Sequence, residues 1–126
     1  MPSSVKEMLE AANAAVPRVK PEQVREMMST GDALLVDVRD GLELATGCKI
    51  KGAMHVSRGM LEFRADPESP SHNPAFRKER PVVLYCASGG RSALSGLTLK
   101  ELGYQKVYNA GSFKELSEGG LETEPA

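Results

Sequence analysis

The chain has 126 residues, with 16 Lys plus Arg against 17 Asp plus Glu and a formal net charge of −1. That is the length of one domain able to bury its own core without staples, and the charge balance leaves no basic footprint for nucleic acid. Two cysteines make no disulfide framework in a chain this long, so reduced thiols and a cytoplasmic setting are expected.

Residues 1–4 are expected to be loose, with Ser3 or Ser4 capping a helix that runs to about Ala15 and carries Glu7 in its first turns. Val5, Met8, Leu9, Ala12 and Val16 recur at helical spacing, and Pro17 ends the run. Residues 1–19 therefore read as an N-terminal helical extension whose apolar stripe docks on the domain. The stretch has no long apolar core, so neither a signal peptide nor a membrane span is expected.

Pro21 suits the first turn of a second helix that buries Val24, Met27 and Met28 and stops near Gly31. Ala33–Val38 is almost wholly apolar, the pattern of a strand covered on both faces, and the charged pair Asp37 and Arg39 straddles its end. Glu43–Thr46 predicts a short helix closed by Gly47, and Gly52–Val56 a short strand. Arg58–Ala65 predicts a helical turn or two with Met60, Leu61 and Phe63 inward. Asp66–Pro74 is dense in Pro, Ser and Asn and reads as an irregular loop at the rim of a site.

Val82–Tyr85 is a short β-branched run ending on Cys86, and about Ser92 to Leu102 reads as a helix stopped by Gly103. Lys106–Asn109 predicts the last strand and Phe113–Leu116 a last helical turn, while the acidic tail 121–126 is expected to fray. Strands alternate with helices throughout. The expected class is α/β, with a mainly parallel sheet of about five short strands flanked by helices on both faces.

Cys86 thus stands at the carboxyl end of a strand, on a loop that opens a helix, where open α/β sheets place their ligands. A thiol attacks as thiolate, and a helix N-terminus with unpaired N–H groups favours that anion. Ala87, Ser88, Gly89 and Gly90 carry no bulky side chain, so their N–H groups can converge on the sulfur as a nest. The two glycines permit the positive φ such a curl needs. Arg91 adds a fork of donors for an anionic substrate, and Ser92 a capping hydroxyl. The competing reading is a buried strand cysteine before a Gly-rich turn.

Cys86-Ala87-Ser88-Gly89-Gly90-Arg91-Ser92 resembles the C-x-x-G-x-R-S loop of single-domain rhodanese-like sulfurtransferases. Leu35–Arg39 resembles that family's strand end, Lys51–Val56 its x-G-A segment, and Leu102–Tyr108 its LGY turn and strand, so the likeness covers about residues 20–120. It departs at Gly47-Cys48-Lys49-Ile50, where the family often has Gly-His-Ile, and at Gly111–Leu116, which lacks the usual tryptophan.

The resemblance implies a ping-pong sulfurtransferase. A donor, thiosulfate or a persulfide, gives its sulfane sulfur to Cys86, and a thiol, cyanide or a protein acceptor removes it. The loop residues Ala87 to Ser92 bind the donor, and no metal, organic cofactor, nucleic acid or membrane is implied. Asp37 reads as a strand-end carboxylate in a turn or, on the family pattern, as an acceptor of N–H bonds from the active-site loop. Arg39 is expected to pair with a carboxylate such as Glu43, and Arg58 and Arg64 read as solvated surface first and as residues steering an anionic donor second. His55 reads as a structural histidine, His72 as a solvated one, and Cys48 as a semi-buried thiol or a resolving partner for Cys86. Two further readings stay open: a rhodanese-like binding, regulatory or sulfur-carrier module without turnover, and a cysteine phosphatase. The phosphatase loop has five residues between Cys and Arg, where this chain has Ala87, Ser88, Gly89 and Gly90.

Overall fold

A computed structural model describes residues 3–45 and 47–126. The first helix, α1 (Val5–Ala15), begins on Ser4, whose Oγ accepts the N–H of Glu7 at 3.1 Å. Next come α2 (Pro21–Thr30), β1 (Leu34–Asp37), α3 (Gly41–Leu44), β2 (Cys48–Ile50) and β3 (Met54–His55). A 3₁₀ turn (Arg58–Met60) runs into α4 (Leu61–Ala65). The chain continues through β4 (Val82–Cys86), α5 (Gly90–Glu101), β5 (Val107–Ser112), α6 (Phe113–Glu118) and β6 (Thr123–Pro125).

The main sheet has the order β3-β1-β4-β5, with every pair parallel. Arg18 adds a parallel bridge to Asn109 beyond β5, through Val19 N–H to Asn109 O at 3.0 Å and Asn109 N–H to Pro17 O at 2.9 Å. The expected five strands are therefore four strands and this bridge. β4 lies at the centre, and each of its residues is 0% exposed. Its side chains alternate between two cores, as strand geometry demands. Val82, Leu84 and Cys86 join Val16, Leu61 and Leu99 on the α1–α4–α5 face, while Val83 and Tyr85 join Val24, Ile50 and Leu116 on the α2–α6 face. The α/β class and the helices on both faces are as the sequence predicts.

α1 docks on α5, with Ala12 and Val16 buried. The approach is close: a Cβ on Gly96 would lie 2.8 Å from Val16 Cγ1. No helix among the described residues is long and apolar enough to cross a membrane.

Three local expectations fail. Residues 123–125 do not fray. They form β6, antiparallel to β2, where the Glu124 carboxylate bonds Lys49 and accepts Gly52 N–H at 3.1 Å. Met60 and Phe63 do not point inward, being 37% and 55% exposed, because Leu61 and Ala65, four apart on α4, take the buried face. The loop 66–80 is held along α4 by Asn73 N–H to Arg64 O at 2.9 Å. It is also held at the amino ends of the strands by Arg80 Nε to Asp32 O at 2.8 Å. That is the end of the sheet opposite Cys86, so the loop's anchors are not those of a rim. Thr46, at the close of the predicted short helix, lies outside the described residues.

Candidate active site

The loop between β4 and α5 owes its shape to Gly89, the N-cap of α5, which takes φ +99°. A side chain there is doubly unfavourable, since the left-handed region disfavours a Cβ and that Cβ would sit 3.4 Å from Gly111 Cα. This curl turns Gly89 N–H onto Cys86 Sγ at 3.0 Å, and Ser92, in the first turn of α5, brings its Oγ to 3.5 Å from the same sulfur. Burial opposes ionisation of the thiol. Hydrogen bonds from the Ser92 hydroxyl and from the N–H groups of Ser92, Gly89 and Ser88 outweigh it, so the thiol lies below its ordinary value. Ala87 and Ser88 form the exposed lip of the loop over the buried sulfur.

The charged residues have other partners than expected. Arg91 closes a two-pronged ion pair with Glu43, Nη1 to Oε1 at 2.6 Å and Nη2 to Oε2 at 3.0 Å, with Asp40 at 3.9 Å. That bond to Arg91, with Asp40 N–H behind it, draws the Glu43 carboxyl down to about 2, and the Glu43 bond raises Arg91. The Arg91 fork is thus occupied by a carboxylate of the chain itself. Arg39 pairs with Asp37 instead of Glu43: Nη2 to Oδ2 is 2.8 Å, and Arg39 N–H reaches Oδ1 at 3.0 Å. Two residues apart at a strand end, they lie on one face and meet each other first. Asp37 is therefore spent on Arg39 rather than on the Cys86 loop. Arg39 also donates to Cys48 O at 2.8 Å and stacks 4.6 Å from the Phe113 ring, so it fastens β2 to the sheet.

Arg58 bonds Glu62 and the Thr98 hydroxyl of α5, and Arg64 reaches Ser71 O, so the contacts of both run away from the Cys86 loop. His55 bonds Arg39 O at 2.7 Å and His72 bonds Phe76 O at 3.1 Å. Cys48 is an exposed free thiol. Among the described residues no cluster of three His, Cys, Asp or Glu could hold a metal ion.

Two residues at the loop escape the sequence reading. Arg18 pairs with Glu115 at 3.0 Å beside Gly111, where a Cβ would lie 2.5 Å from Arg18 Nη2. Asn109 is buried under the loop. Its Oδ1 accepts Ser92 Oγ–H at 2.7 Å and Gly111 N–H at 2.9 Å, and its Nδ2 donates to Gly89 O at 3.2 Å. An amide side chain between Tyr108 and Ala110 in a short strand is the available signal.

A family model described as "Rhodanese-like domain" matches residues 20–118. The chain belongs to the rhodanese-like domain family. Its rhodanese fold is shared with a solved protein of unknown function, described as a possible tyrosine phosphatase, from Rhodopseudomonas palustris. That protein is 34% identical with a TM-score of 0.86, over 98% of this chain and 99% of that one. The polysulfide-sulfur transferase homodimer of Wolinella succinogenes is 33% identical with a TM-score of 0.74, over 94% of this chain and 85% of that one. The rhodanese-like chain is also 32% identical over 92 residues to the tRNA uridine(34) hydroxylase of Bartonella quintana, a match to 72% of this chain. It spans only 29% of that hydroxylase and 32% of the Agrobacterium fabrum one.

Proposed function

We propose that the chain is a sulfurtransferase that carries a sulfane sulfur on Cys86 and passes it to a thiol or to cyanide. The observation that carries this reading is the sulfur itself: a strand-end thiol held at 3.0 Å by Gly89 N–H and biased toward thiolate by the loop around it. The thiolate attacks the outer sulfur of a donor such as thiosulfate or a persulfide. A Cys86 S–S bond forms, the donor's S–S bond breaks, and sulfite or a thiol leaves with the electron pair. The new terminal sulfur carries negative charge into the N–H groups of Ala87, Ser88, Gly89 and Gly90, which no bulky side chain obstructs. An acceptor thiolate or cyanide then takes that sulfur and returns the electron pair to Cys86 Sγ. A reducing compartment such as the cytoplasm keeps Cys86 free for the cycle, and a protein thiol can serve as acceptor.

Phosphate transfer is the second reading, raised by the description of the Rhodopseudomonas neighbour. Two features weigh against it: the loop has four residues between Cys86 and Arg91, and the Arg91 fork holds Glu43 instead of facing an empty ring. A paired assay separates the two. Thiocyanate should form from thiosulfate or a persulfide plus cyanide, with no release of phosphate from an aryl phosphate. Phosphate release without thiocyanate would reverse the assignment.

The Arg91–Glu43 pair also bears on donor choice, because a doubly charged anion meets Arg91 already neutralised. Glu43→Gln should raise kcat/KM for thiosulfate by about fivefold, the scale of an exposed ion pair of about 1 kcal/mol, and make it more salt-sensitive. Steady-state kinetics at two ionic strengths check this, and unchanged thiosulfate kinetics would show that Arg91 takes no part in donor binding.

A further inference from the structure

Ser92 has one hydroxyl proton and three acceptors around it. Asn109 Oδ1 lies at 2.7 Å, Gly89 O at 3.1 Å and Cys86 Sγ at 3.5 Å. All of these groups are buried and the amide is 1% exposed, so bulk solvent does not reach them. Asn109 itself is fixed on both sides. Its backbone pairs with Pro17 and Val19 at the sheet edge, and it stands opposite Leu84 in β4, immediately before the register shift of that pair. Its second Oδ1 bond, to Gly111 N–H, does not depend on Ser92.

We infer that Asn109 is a positioning residue that controls Cys86 through the Ser92 hydroxyl, by competing with the sulfur for the hydroxyl's proton. Two arrangements satisfy every group without moving a heavy atom. In the thiol, Cys86 S–H donates to Ser92 Oγ, and Ser92 O–H donates to Asn109. In the thiolate, the Cys86 proton has gone to buffer, Ser92 O–H turns to the sulfur, and Asn109 Oδ1 keeps the Gly111 N–H.

The inference rests on the sulfurtransferase reading for its use. When Cys86 receives a sulfur, the negative charge moves out to the terminal atom, and the Ser92 proton returns to Asn109. When an acceptor attacks that terminal sulfur and the S–S bond breaks, the electron pair falls on Sγ and the hydroxyl turns back to stabilise it. The same hydroxyl thus serves the attacking thiolate and the leaving thiolate. The charged groups around the loop are paired among themselves: Arg91 with Glu43 and Asp40, Arg18 with Glu115, and Arg39 with Asp37. α1 presents the apolar Leu9 to Gly90. This leaves the Ser92 proton as a switchable neighbour of the sulfur.

The test is the pH dependence of Cys86 alkylation by iodoacetamide, followed by peptide mass so that Cys48 is counted separately; it does not depend on sulfur transfer. Ser92→Ala should raise the midpoint, because the thiolate loses a donor. Asn109→Val should lower it by about half a unit or more, because the competing acceptor is gone. The double variant should match Ser92→Ala. An unshifted midpoint in Asn109→Val, or the same shift in the Ser92→Ala background, would overturn the inference while leaving the sulfurtransferase reading untouched. If Asn109→Val does not fold, the ¹⁵N side-chain amide of Asn109 is followed in the native chain. It should titrate with Cys86 and stop doing so in Ser92→Ala, and an amide that ignores the Cys86 titration contradicts the inference.

Discussion

On the proposed sulfurtransferase reading, Cys86→Ser should lower sulfur transfer at least about a thousandfold, the scale seen when a covalent nucleophile is removed, while the chain stays folded. The loop draws the thiol below its ordinary value, but a serine hydroxyl starts far above the range that the same N–H groups can reach. Nor can an oxygen hold a sulfane sulfur as a transferable persulfide. The packing cost is small, because the position keeps a hydroxyl that can accept Gly89 N–H, and a loss of about 1 kcal/mol is expected. Thermal melts and cyanide-dependent thiocyanate formation check the two halves. Residual turnover near that of the native chain would place the nucleophile elsewhere.

Gly89→Ala has the next largest effect. The residue holds φ +99° in the loop and donates its N–H to Cys86 Sγ at 3.0 Å. Adding a Cβ costs roughly 1–2 kcal/mol in that backbone region and crowds Gly111 Cα at 3.4 Å. The strain is relieved by rotating the peptide, which takes the N–H off the sulfur. Removing one preorganised donor to a developing anion costs on the order of a hundredfold in rate. The thiolate loses the same bond, so the midpoint for Cys86 alkylation moves upward. Kinetics and the alkylation profile measured together check this. A rate loss with an unmoved midpoint would mean that Gly89 serves only the fold.

The central strand and its loop were legible because one physical signal dominated each. Val82–Tyr85 is a short apolar run with two β-branched residues, bounded by Pro81 and the Gly89-Gly90 turn, which reads as a buried strand, and the small residues after Cys86 leave a curl as the natural outcome. The β2–β6 pair was not legible. Cys48-Lys49-Ile50 alternates over only three residues and Thr123-Glu124-Pro125 has no apolar run, while side-chain bonds such as Lys49 to Glu124 join them across 75 positions. The partners of Arg39 and Arg91 were not legible either. Asp37 and Arg39 meet because a strand end puts alternate residues on one face, and Glu43, freed from Arg39, reaches Arg91 across 48 positions. Phe63 looked inward because it is aromatic, yet a helix of five residues has room for only one buried stripe, and Leu61 and Ala65 fill it. Asn109 lies inside a short strand where its burial is not visible in the sequence; a buried amide needs partners and here finds them in the active-site loop.

Intact mass after incubation with a sulfane donor tests the central claim most directly. The chain, first stripped with cyanide, is exposed in parallel to thiosulfate and to a small alkyl persulfide, then weighed. The account predicts a gain of one sulfur atom, located on the Cys86 peptide, lost again on cyanide treatment and absent in Cys86→Ser. No gain from either donor, or an equal gain in Cys86→Ser, would contradict it.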